Sequence, residues 1–141
     1  DILGHPTARL LGRRAGIDVD LEEVFRVAAD RGVILEINAQ PDRLDLNDVA
    51  VQAALRHGVR LAVSTDAHSV AELRFMRWGV DQARRGWATA ESVMNTRPLA
   101  ALLCLLHRSR SPERPARPAG RAARGLPHSR EGTRAGTAMA G

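Results

Sequence analysis

The chain has 141 residues, enough for one domain with a packed core, and its 44% hydrophobic and 26% charged residues fit a globular protein. No apolar run reaches the ~18–20 residues of a membrane span, and no charged-then-apolar leader opens the chain, so a cytoplasmic placement without membrane contact is expected. The single cysteine, Cys104, excludes a disulfide framework and a cysteine-built zinc site, and its apolar surroundings suggest a small core residue.

The chain opens at Asp1 inside a strand-like run, which suggests a piece of a longer protein. DILGH reads as a short buried strand that ends at His5, because Pro6 disfavours helix there. PTARLLGRRAGID is a loop carrying Arg9, Arg13 and Arg14. A helix starts near Asp20, whose spacing to Glu23 is that of a capping box, and Gly32 closes it. VILEI, residues 33–37, is a buried strand, followed by the polar loop NAQPDRLDL. The next helix runs from about Asn47 to His57, with Gly58 as its stop. His57 would place a cation near the negative helix end. VRLAVS, residues 59–64, is the third strand. Ser69 and Glu72 have the spacing of a second capping box opening AELRFMRWG, and further helix is expected in VDQARRG, TAESVMN and PLAALLCLLHR, the last with Pro98 in its first turn. Arg84 and Arg85 read as structural, and Gly86-Trp87 as a helix stop and packing anchor.

Strands alternating with helices predict an α/β fold of parallel βα units. Three units are too few for a closed barrel, which takes ~200 residues or more, so either a small three-layer piece or part of a barrel is expected. Such a piece would expose two sheet edges and tend to aggregate or oligomerise.

Charge separates the body from the tail. All 21 cationic residues are arginines; residues 1–107 hold 13 of them against 14 acidic groups, whereas residues 108–141 hold 8 against 2. The tail is rich in Arg, Pro, Ala and Gly with few large apolar side chains, the composition of a disordered segment. Weak polyanion binding and a merely solvated tail are both compatible with it.

In parallel βα arrays, ligands sit beyond the C-terminal ends of the strands. Here those ends carry His5, then Glu36 and Asn38, then Asp66 and His68 in STDAHS. Imidazole and carboxylate suit Zn²⁺, Mn²⁺ or Fe²⁺, and a bound ion lowers the pKa of water towards ~7. Each residue has a plainer reading. Asp66 fits a turn, His68 a surface histidine, His5 a core histidine, Glu36 an acid paired with arginine and Asn38 a left-handed turn residue. Together at one sheet edge, His5, Asp66 and His68 form a candidate metal set.

The strings ILGHPTARLLGRR, LEINAQPDRLDLND, VSTDAHS and MRWGVDQARRGW resemble the PHP (polymerase and histidinol phosphatase) domain of bacterial family X DNA polymerases, over about residues 1–106. The resemblance implies the C-terminal part of a distorted (βα)7 barrel with two or three Mn²⁺ or Zn²⁺ ions at its strand ends. It implies His5, Asp66 and His68 as metal ligands, with Glu36 and Asn38 near the site. It also implies Mn²⁺-dependent 3′–5′ exonuclease and 3′-end phosphodiesterase action on DNA, gapped or primer-template, in repair beside a polymerase core. Arg9, Arg13, Arg14 and Arg43 become candidate contacts to DNA phosphate, with exposed loop charge or a local bridge from Arg43 to Asp42 or Asp45 as the alternative. The pattern's earlier part, with its HxH motif and further ligands, is absent here, so this chain alone would not complete the cluster. A small-molecule phosphatase of the histidinol-phosphatase type and a non-catalytic remnant are the alternatives.

Overall fold

The computed structural model describes residues 1–108. The basic tail, apart from Arg108, lies outside the described residues. Three strands, β1 (Ile2–Leu3), β2 (Ile34–Asn38) and β3 (Leu61–Ser64), form a parallel sheet in the order β1-β2-β3. Between and after them run the helices α1 (Leu21–Arg31), α2 (Asp48–Arg56), α3 (Met76–Arg85) and α4 (Leu99–Arg108). The fold is the expected α/β arrangement, and its strands are neighbours in chain order rather than doubly wound.

The register divides the sheet into two faces. Leu35 pairs with Leu61 and Ile37 with Val63, and all four are buried with Phe25 and Ala28 of α1 and Val51 and Ala54 of α2. The other face alternates with it: Glu36 pairs with Ala62 and Asn38 with Ser64. One strand thus presents an apolar row to the helices and a polar row away from them, as a period of two requires. Each large apolar side chain buried on the helix side contributes about 1.5–3 kcal/mol.

Local signals set the helix ends. Asp20 accepts a hydrogen bond from the Glu23 N–H at 3.2 Å, and Gly32 stops α1 in the left-handed conformation. Glu23 does not complete the box; its carboxylate pairs with Arg26 one turn on. Asn47 caps α2 through the Ala50 N–H at 2.8 Å. His57 closes α2 and joins it to α1, its Nε2 lying 2.6 Å from Glu22 Oε2 and its ring 6.1 Å from that of Phe25. Helix α3 packs close because two positions lack a side chain. A Cβ on Gly79 would lie 2.4 Å from Val63 Cγ1, and one on Gly86 would lie 2.2 Å from Val51 Cγ1. Arg85 fastens the end of α3 to Asp48 at 2.8 Å, which agrees with its structural reading.

The two sheet edges differ, contrary to the expectation of two bare ones. The outer edge of β3 is covered by the segment after α3. Leu61 donates its N–H to the Ser92 carbonyl at 2.9 Å and forms a parallel bridge with Val93. The Asn95 amide then accepts from the Val63 N–H at 2.7 Å and donates to the Val63 carbonyl at 2.9 Å, standing in for the next strand residue. Among the described residues nothing pairs with the outer edge of β1, and Ile2 and Leu3 are 50% and 41% exposed rather than buried.

Other expectations change in the same region. TAESVMN is not a helix but turns and a short 3-10 turn at Met94–Thr96, because its backbone and Asn95 bond to β3. Val70–Phe75 is a 3-10 turn that leads into α3, and Ser69 makes no side-chain cap bond. Trp87 is no packing anchor: it sits at φ 67° past the helix end and is 76% exposed. Cys104 is exposed on α4, whereas Leu102, Leu105 and Leu106 of the same helix are half-buried. Among the described residues no helix is long and apolar enough to cross a membrane.

Candidate functional site

The C-terminal ends of the three strands are drawn together by one carboxylate. Glu36, on the middle strand, faces away from the helices. Its Oε2 accepts the backbone N–H of His5, beyond β1, at 2.5 Å, and the Asn38 amide at 3.4 Å. Its Oε1 accepts the hydroxyl of Ser64, the last residue of β3. Among the described residues Glu36 has no arginine partner, so the alternative of an acid neutralised by arginine does not describe it.

Asn38 carries the connection onward. Fully buried, it donates its side-chain N–H to Asp66 Oδ2 at 3.1 Å and accepts the Gln40 N–H at 3.0 Å. Gln40 in turn donates to the Asp66 carbonyl at 3.2 Å and to Glu72 Oε2 at 3.3 Å. Asp66 stands at φ 51° and His5 at φ 28°, sparsely populated regions for residues other than glycine that cost about 1–3 kcal/mol each. Both are secured by bonds from outside their own loops.

His68 Nδ1 lies 2.7 Å from the Asp66 carbonyl. A carbonyl only accepts, so in this contact Nδ1 is the donor and Nε2 is not engaged by it. The His68 N–H donates to Glu72 Oε2 at 2.7 Å. That bond, with help from the Ser69 hydroxyl and Gln40, holds the Glu72 carboxyl below its ordinary pKa. Glu72 therefore acts one residue earlier than a capping box would have it: it braces the His68 backbone.

The loops flanking the exits are clasped by Asp45. Fully buried, its carboxylate accepts the Thr7 N–H at 2.9 Å, the Thr7 hydroxyl at 2.8 Å and the Ala8 N–H at 3.0 Å. Arg9 reinforces the clasp by donating to the carbonyls of Arg43 and Leu44, and Arg14 donates to the Ala8 carbonyl at 2.6 Å. Arg43 bridges neither Asp42 nor Asp45; its Nε lies 3.5 Å from Asp66 Oδ2. Arg13 is exposed in the small hairpin closed by Leu10 and Arg14.

Of the three candidate ligands, Asp66 and His68 touch directly, and His5 joins them through Glu36 and Asn38. Imidazole and carboxylate are suitable donors for a first-row divalent ion. Among the described residues, however, no three His, Cys, Asp or Glu side chains converge as an ion requires. The described part of the exit cluster therefore does not enclose a metal by itself.

Sequential parallel strands with polar residues at their exits define an α/β unit of the kind that binds its ligand beyond the strand ends. No family model matches the sequence. Over 109 residues, 77% of its length, the chain is 41% identical to the DNA polymerase/3'-5' exonuclease PolX of Bacillus subtilis (strain 168). The chain spans about a fifth (19%) of that relative's length.

Proposed function

We propose that this chain is the C-terminal part of a PHP-type domain and serves hydrolysis of phosphodiester bonds at DNA 3′ ends, as part of a family X DNA polymerase. The observation that carries this reading is the 41% identity to a relative named as a polymerase and 3'-5' exonuclease, taken with the candidate ligands at adjacent strand exits. His5, Asp66 and His68 would contribute to a Mn²⁺ or Zn²⁺ centre whose other donors lie outside the described residues. Such an ion supplies charge neutralisation at phosphate and acidifies water. Of the arginines, Arg13 and Arg14 are exposed, Arg14 giving one guanidinium nitrogen to a loop carbonyl, whereas Arg9 gives two to loop carbonyls and Arg43 lies half-buried against Asp66. The absence of three converging donors among the described residues favours a second reading for the isolated chain, that of a non-catalytic piece.

The test is Mn²⁺-dependent nucleotide release from a 5′-labelled primer annealed to a template. It compares this chain, its Asp66→Ala/His68→Ala variant and the same pair within the whole polymerase. Release by the whole protein that the double substitution abolishes supports the reading. Equal release from both whole proteins overturns it. Release by the isolated chain that the substitutions abolish would overturn the second reading.

A further inference from the structure

We infer that Glu36 is the positioning residue of the exit cluster: one carboxylate on the middle strand sets where His5 and Asp66 stand. The inference rests on the reading of these two residues as ligands. Glu36 and Asn38 lie two residues apart on β2 and share the face away from the helices, and Ser64 is the register partner of Asn38. Glu36 therefore reaches both neighbouring strands from the centre. Oε2 fixes the exit of β1 through the His5 N–H at 2.5 Å, and Oε1 fixes the end of β3 through the Ser64 hydroxyl. Its contact with Asn38 aims that amide at Asp66 Oδ2.

The backbone at both targets explains why such a group is needed. His5 at φ 28° and Asp66 at φ 51° occupy left-handed conformations that are uncommon outside glycine, though Asp and His enter them more readily than most residues. A local turn would relax from them; a carboxylate from sequence-distant β2 does not move with either loop. A carboxylate has about four acceptor positions, enough for the three donors that converge on Glu36. Glu36 thus acts on the site through hydrogen bonds to other residues. It differs from Asp45, which clasps the loops behind the exits and touches none of the three candidate ligands.

The test compares the full chain with Glu36→Met, which keeps the side-chain volume and removes every acceptor, and Glu36→Gln. Glutamine can accept the His5 N–H through its oxygen and donate to Ser64 through its nitrogen. Two readouts are taken: hydrogen exchange of backbone amides by NMR, and Zn²⁺ affinity by calorimetry. In Glu36→Met the His5 amide is expected to exchange at least tenfold faster, while the Leu35 and Val51 amides keep their protection. Zn²⁺ affinity is expected to fall at least tenfold in Glu36→Met and to return within threefold of the parent in Glu36→Gln. Unchanged His5 exchange in Glu36→Met overturns the inference. So does a Glu36→Gln chain that keeps its fold and His5 protection but loses Zn²⁺ affinity, since that identifies Glu36 as a ligand. If the parent chain takes up no Zn²⁺, the ligand reading fails for this chain, while His5 exchange still decides the role of Glu36. If Glu36→Met does not fold, Glu36→Gln decides alone: retained His5 protection and Zn²⁺ affinity support the inference, and loss of either overturns it.

Discussion

The two faces of β2 are held by different forces. Leu35 and Ile37 are buried against α1 and α2 by apolar contact, which is non-directional and tolerates modest changes of shape. Glu36 and Asn38, alternating with them, are held by hydrogen bonds to β1, β3 and the loop beyond β3. The first face supplies stability to the whole unit. The second supplies placement, because a bond of fixed length and direction specifies where a particular atom must be.

Substitutions on the two faces should therefore fail differently. The largest effect is expected on the helix side: Ile37→Ala should cost about 2–5 kcal/mol in urea unfolding, with amide protection lost throughout the sheet. Gly79→Ala forces a methyl against Val63 Cγ1, which a Cβ would approach to 2.4 Å. About 1–3 kcal/mol of destabilisation is expected from that overpacking, read as a shift of the urea midpoint. On the polar side, Ser64→Ala removes a single donor to Glu36 and should cost about 0.5–1.5 kcal/mol. Its exchange effects should be confined to residues 4–7 and 64–68; effects spreading to Leu35 and Ile37 would erase the distinction between the faces.

The smallest effect concerns pH. Arg85 holds the Asp48 carboxyl below its ordinary pKa, with the Val49 N–H assisting. A depressed folded-state value means that the pair's contribution is fully present above the unfolded carboxylate's pKa and is lost as pH falls through the folded value. Arg85→Gln should lower the melting temperature slightly at neutral pH, and the difference from the parent should shrink on acidification below the ordinary carboxylate range. A difference that stays constant would assign the effect to packing of the Arg85 stem.

What could be recognised in the sequence follows the same division. Asp20, Gly32, Asn47 and Gly58 mark helix ends through bonds or dihedral angles within a few residues, and each stands where expected. The compact, β-branched apolar run VILEI placed β2, and the strand-end rule gathered His5, Glu36, Asn38, Asp66 and His68 in one neighbourhood. The connections among them were not legible. The Glu36 to His5, Ser64 to Glu36 and Asp45 to Thr7 contacts join residues 28 to 38 positions apart, and no local pattern encodes them. Ser69 and Glu72 had the spacing of a cap, but Gln40, from another loop, helps to hold Glu72 against His68. Cys104 was read as a core residue from its apolar surroundings and Trp87 as a packing anchor after a helix stop, but an apolar neighbourhood in sequence does not say which side of a helix, or of the turn after it, faces inward.

The amide of Asn95 has one further consequence. By imitating a peptide group against Val63 it leaves the sheet with a blocked side and an open side. A sheet open on both sides can recruit copies head to tail without end, whereas one open only along β1 has a single surface to offer. Among the described residues, then, further strand pairing is open along β1 and closed along β3, so the sheet can be extended from one side only.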